Sequence, residues 1–332
     1  MISGNPSVSI IIPAYNSTRT LAVCLASARA QTYPDVELVV VDDASTDGCA
    51  ELTGEFSCTL VRHPVNRGVS AARNTGVRAS RGEVLFFLDS DVALAPDAVA
   101  VAVRELADHP DCGCVFGCYD KEPLFGNRWV QRYRMLHLYF ALRRVAGPAQ
   151  TALFALAAVP RAVFDLVGPF DEGLRSAEDD DYSERLLPHV GIRASVAMTG
   201  RHHDEDRLLA LLSEQFRRSQ LLPYVVRNRY RRHAIRLNST AGVLAAALTV
   251  TTLPLGLLAT PLFVAPIVCF GLFTMANPRL AYFVLRERGP AFFAYFTVTH
   301  LLINLALVAG LVVGTLRAAA GAHIGPSRPS TP

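Results

Sequence analysis

Val84-Leu85-Phe86-Phe87-Leu88-Asp89-Ser90-Asp91 is a run of five apolar residues followed by two carboxylates one residue apart. A strand buried on both faces of a parallel sheet requires an uninterrupted apolar run of this length. In open α/β sheets, ligands bind at the carboxyl ends of the strands. Two hard oxygen donors at that edge suit a Mg2+ or Mn2+ ion carrying a diphosphate. Taken alone, the pattern is equally a strand entering a polar turn, because Asp and Ser favour turns. The surrounding chain decides between the two.

On the N-terminal side, residues 8–12 form a β-branched run that stops at Pro13, and residues 37–41 form a second apolar run ending at Asp42-Asp43. A third, shorter strand fits residues 59–62. Helical spacing covers 20–30 and 70–79; Ser45-Thr46-Asp47 offers a helix cap, and Pro96 suits the first turn of another helix. Further strands are expected over 114–117, 152–158 and 192–198, with helices over 163–167 and 182–187. Strands alternating with helices in this way predict an α/β domain over residues 1–204, built on a doubly wound, mostly parallel sheet.

The chain has 332 residues, of which 51% are hydrophobic, and the excess lies in the last third. Net charge is +3, too small to suggest nucleic acid as a partner. Seven cysteines include Cys24, Cys58 and Cys269 in apolar surroundings, and Cys112, Cys114 and Cys118 have no second pair at zinc spacing. This usage predicts reduced thiols and a reducing compartment. Residues 1–6 are short and polar, so no signal peptide is expected to open the chain.

After Asp204, residues 208–224 read as an amphipathic helix within a juxtamembrane stretch, 205–238, that becomes densely basic from Arg227 to Arg236. Residues 240–276 carry no charge, nor do 290–316. About 20 apolar residues span a bilayer as a helix. The second stretch predicts one span and the first, 239–276, a hairpin turning near Pro254 and Pro261. Arg279, Arg286 and Arg288 would lie in a basic loop, 277–289, on the same cytoplasmic side as the stretch from Arg217 to Arg236. A multi-pass protein of the cytoplasmic membrane is expected, with its α/β domain in the cytoplasm and a Gly/Pro/Ser-rich, disordered tail over 317–332 on the far side. Arg128-Trp129, Arg132 and Arg134, followed by the apolar residues 136–142, suggest an interfacial helix.

Five motifs occur in order over residues 7–200. They are Val8-Ser9-Ile10-Ile11-Ile12-Pro13-Ala14-Tyr15-Asn16, Val39-Val40-Val41-Asp42-Asp43-Ala44-Ser45-Thr46-Asp47-Gly48, Asn66-Arg67-Gly68 with Ala71-Ala72-Arg73-Asn74-Thr75-Gly76, Leu88-Asp89-Ser90-Asp91, and Gly168-Pro169-Phe170-Asp171-Glu172 with Glu178-Asp179-Asp180-Asp181 and Arg185. Together they resemble family 2 glycosyltransferases. The resemblance implies a GT-A fold followed by an all-α membrane region. It also implies transfer of a sugar, with inversion, from a UDP-, GDP- or dTDP-linked donor. The expected membrane anchor would set the site at the interface, which points to a lipid or lipid-linked acceptor of a cell-envelope glycan.

By the same resemblance, Pro13, Ala14 and Tyr15 line the donor pocket and Asp43 accepts a base N–H, with Asp42 supporting the loop. Arg73 would face the diphosphate, for which its fork is suited; a helix-surface arginine is the plain alternative. Asp91 would bind the metal directly, Asp89 would contact the ribose or the metal, and Ser90 lies between them. His203 or His202 would complete the metal or diphosphate site; adjacent side chains point apart, so one of the two serves. Asp179 is the expected general base, with Glu178 and Asp180 on the acceptor side. Four consecutive acids should raise some of their pKa values, although carboxylates also favour a helix start for structural reasons. Asp181 and Arg185 are spaced as a helical pair.

Gln215-Phe216-Arg217-Arg218-Ser219 lacks the Trp of the Gln-x-x-Arg-Trp motif that processive members carry, which favours single transfers. A sugar nucleotidyltransferase would show a Gly-rich loop after the first strand, and Pro13-Ala14-Tyr15-Asn16 is not one. A catalytically degenerate membrane scaffold would not need both Asp91 and Asp179.

Overall fold

The structure is a computed structural model and describes residues 4–174, 177–221 and 238–321. Nine strands form one sheet: β1 (Val8–Ala14), β2 (Val36–Asp42), β3 (Thr59–Arg62), β4 (Val84–Leu88), β5 (Val92–Leu94), β6 (Cys112–Tyr119), β7 (Gly147–Ala149), β8 (Leu156–Pro160) and β9 (Gly191–His202). Their order is β3-β2-β1-β4-β8-β6-β9-β5, with β7 on β9. The half from β3 to β4 is parallel, as the apolar runs predict. Beyond β4 the sheet turns mixed: β8 runs antiparallel to β4 and β6, and β9 parallel to β6. The two short strands β5 and β7 carry no pattern long enough to read from sequence.

Strand β1 runs through Pro13 rather than stopping there. Its pairing with β4 ends at Ile11↔Phe87, while pairing with β2 continues to Ala14↔Asp42. One edge is therefore open where proline's missing N–H would otherwise break a ladder. Every residue of β1 and β4 is buried, and the Asp89-Ser90-Asp91 turn follows β4 at its carboxyl end.

Helices α1 (Thr18–Arg29), α2 (Cys49–Thr53), α3 (Val69–Ala79), α4 (Ala98–Asp108), α5 (Trp129–Arg143), α6 (Arg161–Val167), α7 (Glu178–Leu186) and α8 (Leu208–Ser219) complete this part. Asp47 serves two helix starts: its carboxylate accepts from the Cys49 N–H of α2 at 3.3 Å, as expected, and from the Thr18 N–H of α1 at 2.9 Å. Helix α3 lies tight on β1, because a Cβ at Gly76 would overlap the Ile11 side chain. That closeness brings Arg73 and Asn74 over the edge of the sheet.

In the apolar region the helices Thr240–Thr251 and Val264–Met275 pack together through Ala245, Ala246 and Phe273, with the short turns Leu255–Leu258 and Thr260–Phe263 between them. Each of the two helices has 12 residues, about 18 Å of helix against a hydrocarbon core of about 30 Å. Each helix is shorter than a straight span of that core. Among the described residues, one helix, Pro278–Ala319, is long and apolar enough to cross a membrane. Residues 277–289, expected as a loop, begin this helix, which breaks at Gly289 (φ 77°) just before Pro290. At the break, Lys121 pairs with Glu287 at 2.6 Å and Arg288 pairs with Glu122, tying the helix to the segment after β6.

Helix α8 packs along the far half of this long helix. Gly310 and Gly314 face the backbone of Phe216 and Gln220, where any Cβ would overlap. Gln220 accepts a hydrogen bond from Arg317 at 2.6 Å. The charge pattern placed the segment starting at Arg217 and the segment after Arg317 on opposite sides of a membrane; here their ends touch. The basic stretch from Arg227 to Arg236 and the tail from residue 322 lie outside the described residues.

Candidate active site

Arg73 is the hub of the site. Its guanidinium is buried, 2% exposed, and reaches Asp89 at 3.1 Å, Asp179 at 3.1 Å and Glu178 at 3.6 Å. It also lies over the Phe170 ring, 5.4 Å from the centroid. Asp89 comes from the end of β4, and Glu178 and Asp179 from the first turn of α7. One cation thus joins two acidic segments about ninety residues apart in the chain.

The acidic turn is held from below. Phe87, Phe154, Phe170 and Tyr182 pack edge-on or stacked, with Phe170 and Tyr182 centroids 4.2 Å apart. Asn74 grips the loop before α7 at its backbone: its amide donates to the Phe170 carbonyl at 2.9 Å and accepts from the Phe170 N–H at 2.9 Å. The same amide donates to Glu172 at 3.1 Å, and Arg67 pairs with Glu172 at 2.7 Å. Ala177, immediately before Glu178, is left-handed (φ 62°), as are Asn16 (φ 49°) after β1 and Ala44 (φ 65°) after β2. Such positions cost energy for residues other than glycine and gather at functional loops.

The second oxygen of Asp179 accepts from the Phe154 N–H at 3.1 Å. Burial pushes the Asp179 pKa up, Arg73 pulls it down, and the charges of Glu178 and Asp89 push it up again, leaving it at about 7. Burial likewise raises Asp89, against the pull of Arg73.

On the other side of the β4 turn, His202 at the end of β9 lies 3.4 Å from Asp91 and 3.8 Å from Asp204. Its ring stacks on Tyr119 at 4.7 Å. Burial lowers the His202 pKa, but the hydrogen bond and charge of Asp91 outweigh it and raise the group overall. His203 points elsewhere, edge-on to Phe125 at 5.7 Å, as alternation along a strand requires.

Asp43 sits in a separate network. Its Oδ1 accepts from the Arg67 N–H at 2.9 Å and meets His63 Nδ1 at 2.7 Å, and its Oδ2 accepts from the Gly68 N–H at 2.7 Å. His63 Nε2 faces Thr75 Oγ1 at 3.0 Å, and Thr75 accepts from Arg78 at 2.8 Å. A neutral imidazole satisfies every member: Nδ1–H donates to Asp43, and Thr75 donates to Nε2. Asp42 accepts from the Ser45 N–H and from Arg62.

Residues 9–166 match the family model of glycosyl transferase family 2. The chain carries a family 2 glycosyltransferase domain. The putative glycosyltransferase EpsH of Bacillus subtilis is 34% identical over 110 residues, 32% of either chain. An uncharacterized glycosyltransferase of Haemophilus influenzae is 26% identical over 181 residues, 54% of this chain and 62% of that one. Chondroitin synthase of Escherichia coli is 38% identical over 118 residues, 33% of this chain and 17% of that one. The matches thus span between 17% and 62% of these relatives' lengths. Among solved structures, the mannosyltransferase PcManGT of Pyrobaculum calidifontis, in complex with GDP-Man and Mn2+, aligns with a TM-score of 0.58. It is 22% identical, and the match covers 94% of this chain and 88% of that one. The fold of the glycosyltransferase domain is GT-A.

Within this family 2 domain, Asp89, Asp91, Arg73, Glu178, Asp179 and His202 come together as one constellation. Three expectations shift. The histidine beside Asp91 is His202, not His203. The Arg73 fork is taken up by carboxylates rather than left open to a diphosphate. Asp43 is 3% exposed and has three partners, leaving one lone pair on Oδ2. Tyr15 is 53% exposed beside the buried Pro13-Ala14 strand end, and Ser90 and Asp180 are half-buried. Asp181 and Arg185 form the expected helical pair at 3.1 Å.

Among the described residues, no three His, Cys, Asp or Glu side chains converge as a complete metal site. The donors present nonetheless fit a divalent ion brought by a diphosphate. Asp91 Oδ1 is shielded from solvent and has no hydrogen-bond partner, and the His202 imidazole stands against the other oxygen. Mg2+ and Mn2+ take few protein ligands when phosphate oxygens and waters supply the rest.

His63, Asn74, Tyr119 and Asp204 were not legible as site residues. Asn74 lies inside a quoted motif, but its backbone grip depends on a loop 96 residues away. His63 has no signal beyond its place one residue after β3.

Proposed function

We propose that this chain is an inverting glycosyltransferase that moves a sugar from a UDP-, GDP- or dTDP-linked donor to a hydroxyl of a lipid or lipid-linked acceptor. The observation that carries the reading is the Arg73 bridge, which sets a carboxylate with a pKa of about 7 beside the Asp89-Ser90-Asp91 turn. Asp179 takes the acceptor proton as the acceptor oxygen bonds to the anomeric carbon. The bond from that carbon to the diphosphate oxygen breaks, and the nucleoside diphosphate leaves from the opposite face. A base tuned near working pH is well matched to this task. Asp91 and His202 would hold a Mn2+ or Mg2+ ion, which would neutralise charge on the leaving diphosphate. Pro13, Ala14 and Tyr15 line the donor side, the free lone pair of Asp43 accepts a base N–H, and Glu178 and Asp180 border the acceptor.

The helix Pro278–Ala319 supports attachment to a membrane, with the catalytic domain on its cytoplasmic face. The exposed Trp129 of α5 packs on Phe292 and Tyr295 of that helix at 5.6 and 5.1 Å. This contact places an aromatic rim, of the kind that favours headgroup depth, on the helix that follows the Lys121–Glu122 clamp. An acceptor held in the bilayer would meet the domain at this edge.

Thermal unfolding of the detergent-solubilised protein with UDP, GDP or dTDP and Mn2+ tests the donor assignment. One nucleotide should raise the midpoint, by about 2.7 kcal/mol of stabilisation at a hundredfold excess over Kd. Asp91→Ala or EDTA should remove most of that rise. Equal shifts in Asp91→Ala and wild type, or none with any nucleotide, would sink the assignment.

The Asp43 network makes a smaller prediction. His63→Ala frees one side of the carboxylate and should raise the donor KM by about three- to tenfold, the loss of one hydrogen bond to a charged group, with kcat little changed. Steady-state kinetics at saturating acceptor separates the two constants.

A further inference from the structure

A nucleoside diphosphate brings at least two negative charges into a site that already holds Asp89, Asp91, Glu178 and Asp179. The nearby arginines are engaged: Arg73 with three of those carboxylates, Arg67 with Glu172 and Arg62 with Asp42. Arg19 is different. It is exposed in the first turn of α1, directly after the Pro13-Ala14-Tyr15-Asn16 loop, and forms no ion pair with any described residue. The helix dipole disfavours a cation in a first turn, and Asp47 already caps that turn at Thr18 N–H, so α1 gains nothing from a positive side chain here.

The position of Arg19 is set by Phe125. The guanidinium lies 5.0 Å from the centre of the Phe125 ring, and the same ring meets His203. Leu124 is fixed to the metal edge by its N–H donating to the His202 carbonyl at 3.0 Å. Helix α1 itself passes under the acidic turn: Cys24 Sγ approaches the Asp89 carbonyl at 3.6 Å. Arg19 therefore stands between the donor loop and the strand end that carries His202 and His203, resting on an aromatic face and lacking a counter-ion.

We infer that Arg19 is the cation that binds the donor diphosphate and retains it as the nucleoside diphosphate leaves. Arg73, which the family resemblance pointed to, instead serves as the shared counter-ion of the acidic cluster. The inference rests on the donor reading proposed above and assigns one residue to the phosphate portion of that donor. Phe125 fixes the plane of the guanidinium, so the fork is oriented before the anion arrives, which reduces the entropy lost on binding.

Calorimetric titration with Mn2+ present tests this, using UDP, GDP and dTDP against uridine, guanosine and thymidine. Arg19→Ala should weaken the nucleoside diphosphate that wild type prefers by about tenfold and leave the matching nucleoside unchanged. Arg19→Lys should fall between, since it keeps the charge and loses the fork. Arg104→Ala, the same charge change on the exposed face of α4, should bind as wild type does. If wild type favours a diphosphate over its nucleoside and Arg19→Ala retains that preference in full, Arg19 is not the diphosphate ligand, while the donor reading stands. If wild type shows no preference for any diphosphate, the donor reading itself fails and this assignment falls with it.

Discussion

Asp179→Asn is expected to lower kcat by about a thousandfold, within the range that positioned general bases supply, and to leave nucleoside diphosphate affinity unaltered. The amide preserves the shape of the side chain, and its oxygen can still accept from the Phe154 N–H; its NH2 loses the bond from Arg73, which keeps Asp89 and Glu178 as partners. What it lacks is the ability to take a proton. The wild-type rate should rise with pH through about 7, where the carboxylate ionises, and the residual rate of the variant should lack that limb. Stability runs in the opposite direction. Because the folded pKa lies above the unfolded value, the group stabilises the fold fully below about pH 4, and that contribution is lost as pH rises through about 7. Asp179→Asn should therefore gain in Tm relative to wild type more at pH 8 than at pH 4. A variant with unimpaired kcat would remove Asp179 from the chemistry.

Arg73→Leu should have the largest effect on the folded state. It leaves Asp89, Glu178 and Asp179 facing one another with no counter-ion. Breaking a buried ion pair from one side costs about 3–5 kcal/mol. These carboxylates keep some solvent contact and can protonate, so about 2–3 kcal/mol is expected here, read as a fall in Tm. Activity should nearly vanish, and whatever remains should shift to higher pH because the group that holds Asp179 down is gone. Arg73→Lys should recover part of the stability and little of the activity. One ammonium cannot serve Asp89 and Asp179 from separate nitrogens as the guanidinium does. Undiminished Tm in Arg73→Leu would show that the cluster does not depend on this cation.

The parallel half of the sheet was legible because buried strands leave unbroken apolar runs, and the strand over residues 59–62 was read to the residue. The half after β4 was harder to read. β9 changes partners and shifts register near Phe116 and Cys118, and such irregularities leave no period in the sequence. At the site, the motifs that carry Asp89, Asp91 and Asp179 are ones the fold brings together around Arg73 and His202. It could not assign the partners. Whether Arg73 meets phosphate or carboxylate depends on where α7 comes to rest, and that is set by Asn74, Ala177 and a block of aromatic rings. The choice between His202 and His203 is a matter of strand phase, which a slip of one residue would reverse. The apolar C-terminal region shows the same limit: the close approach at Gly310 and Gly314 decides what lies beside the long helix, and charge does not encode it.

That close approach ties together two stretches that rules of charge placement weigh separately. Gln220 and Arg317 are held together by a 2.6 Å hydrogen bond, so whichever compartment one of them occupies, the other occupies too. A reporter inserted at either position would return the same answer about sidedness.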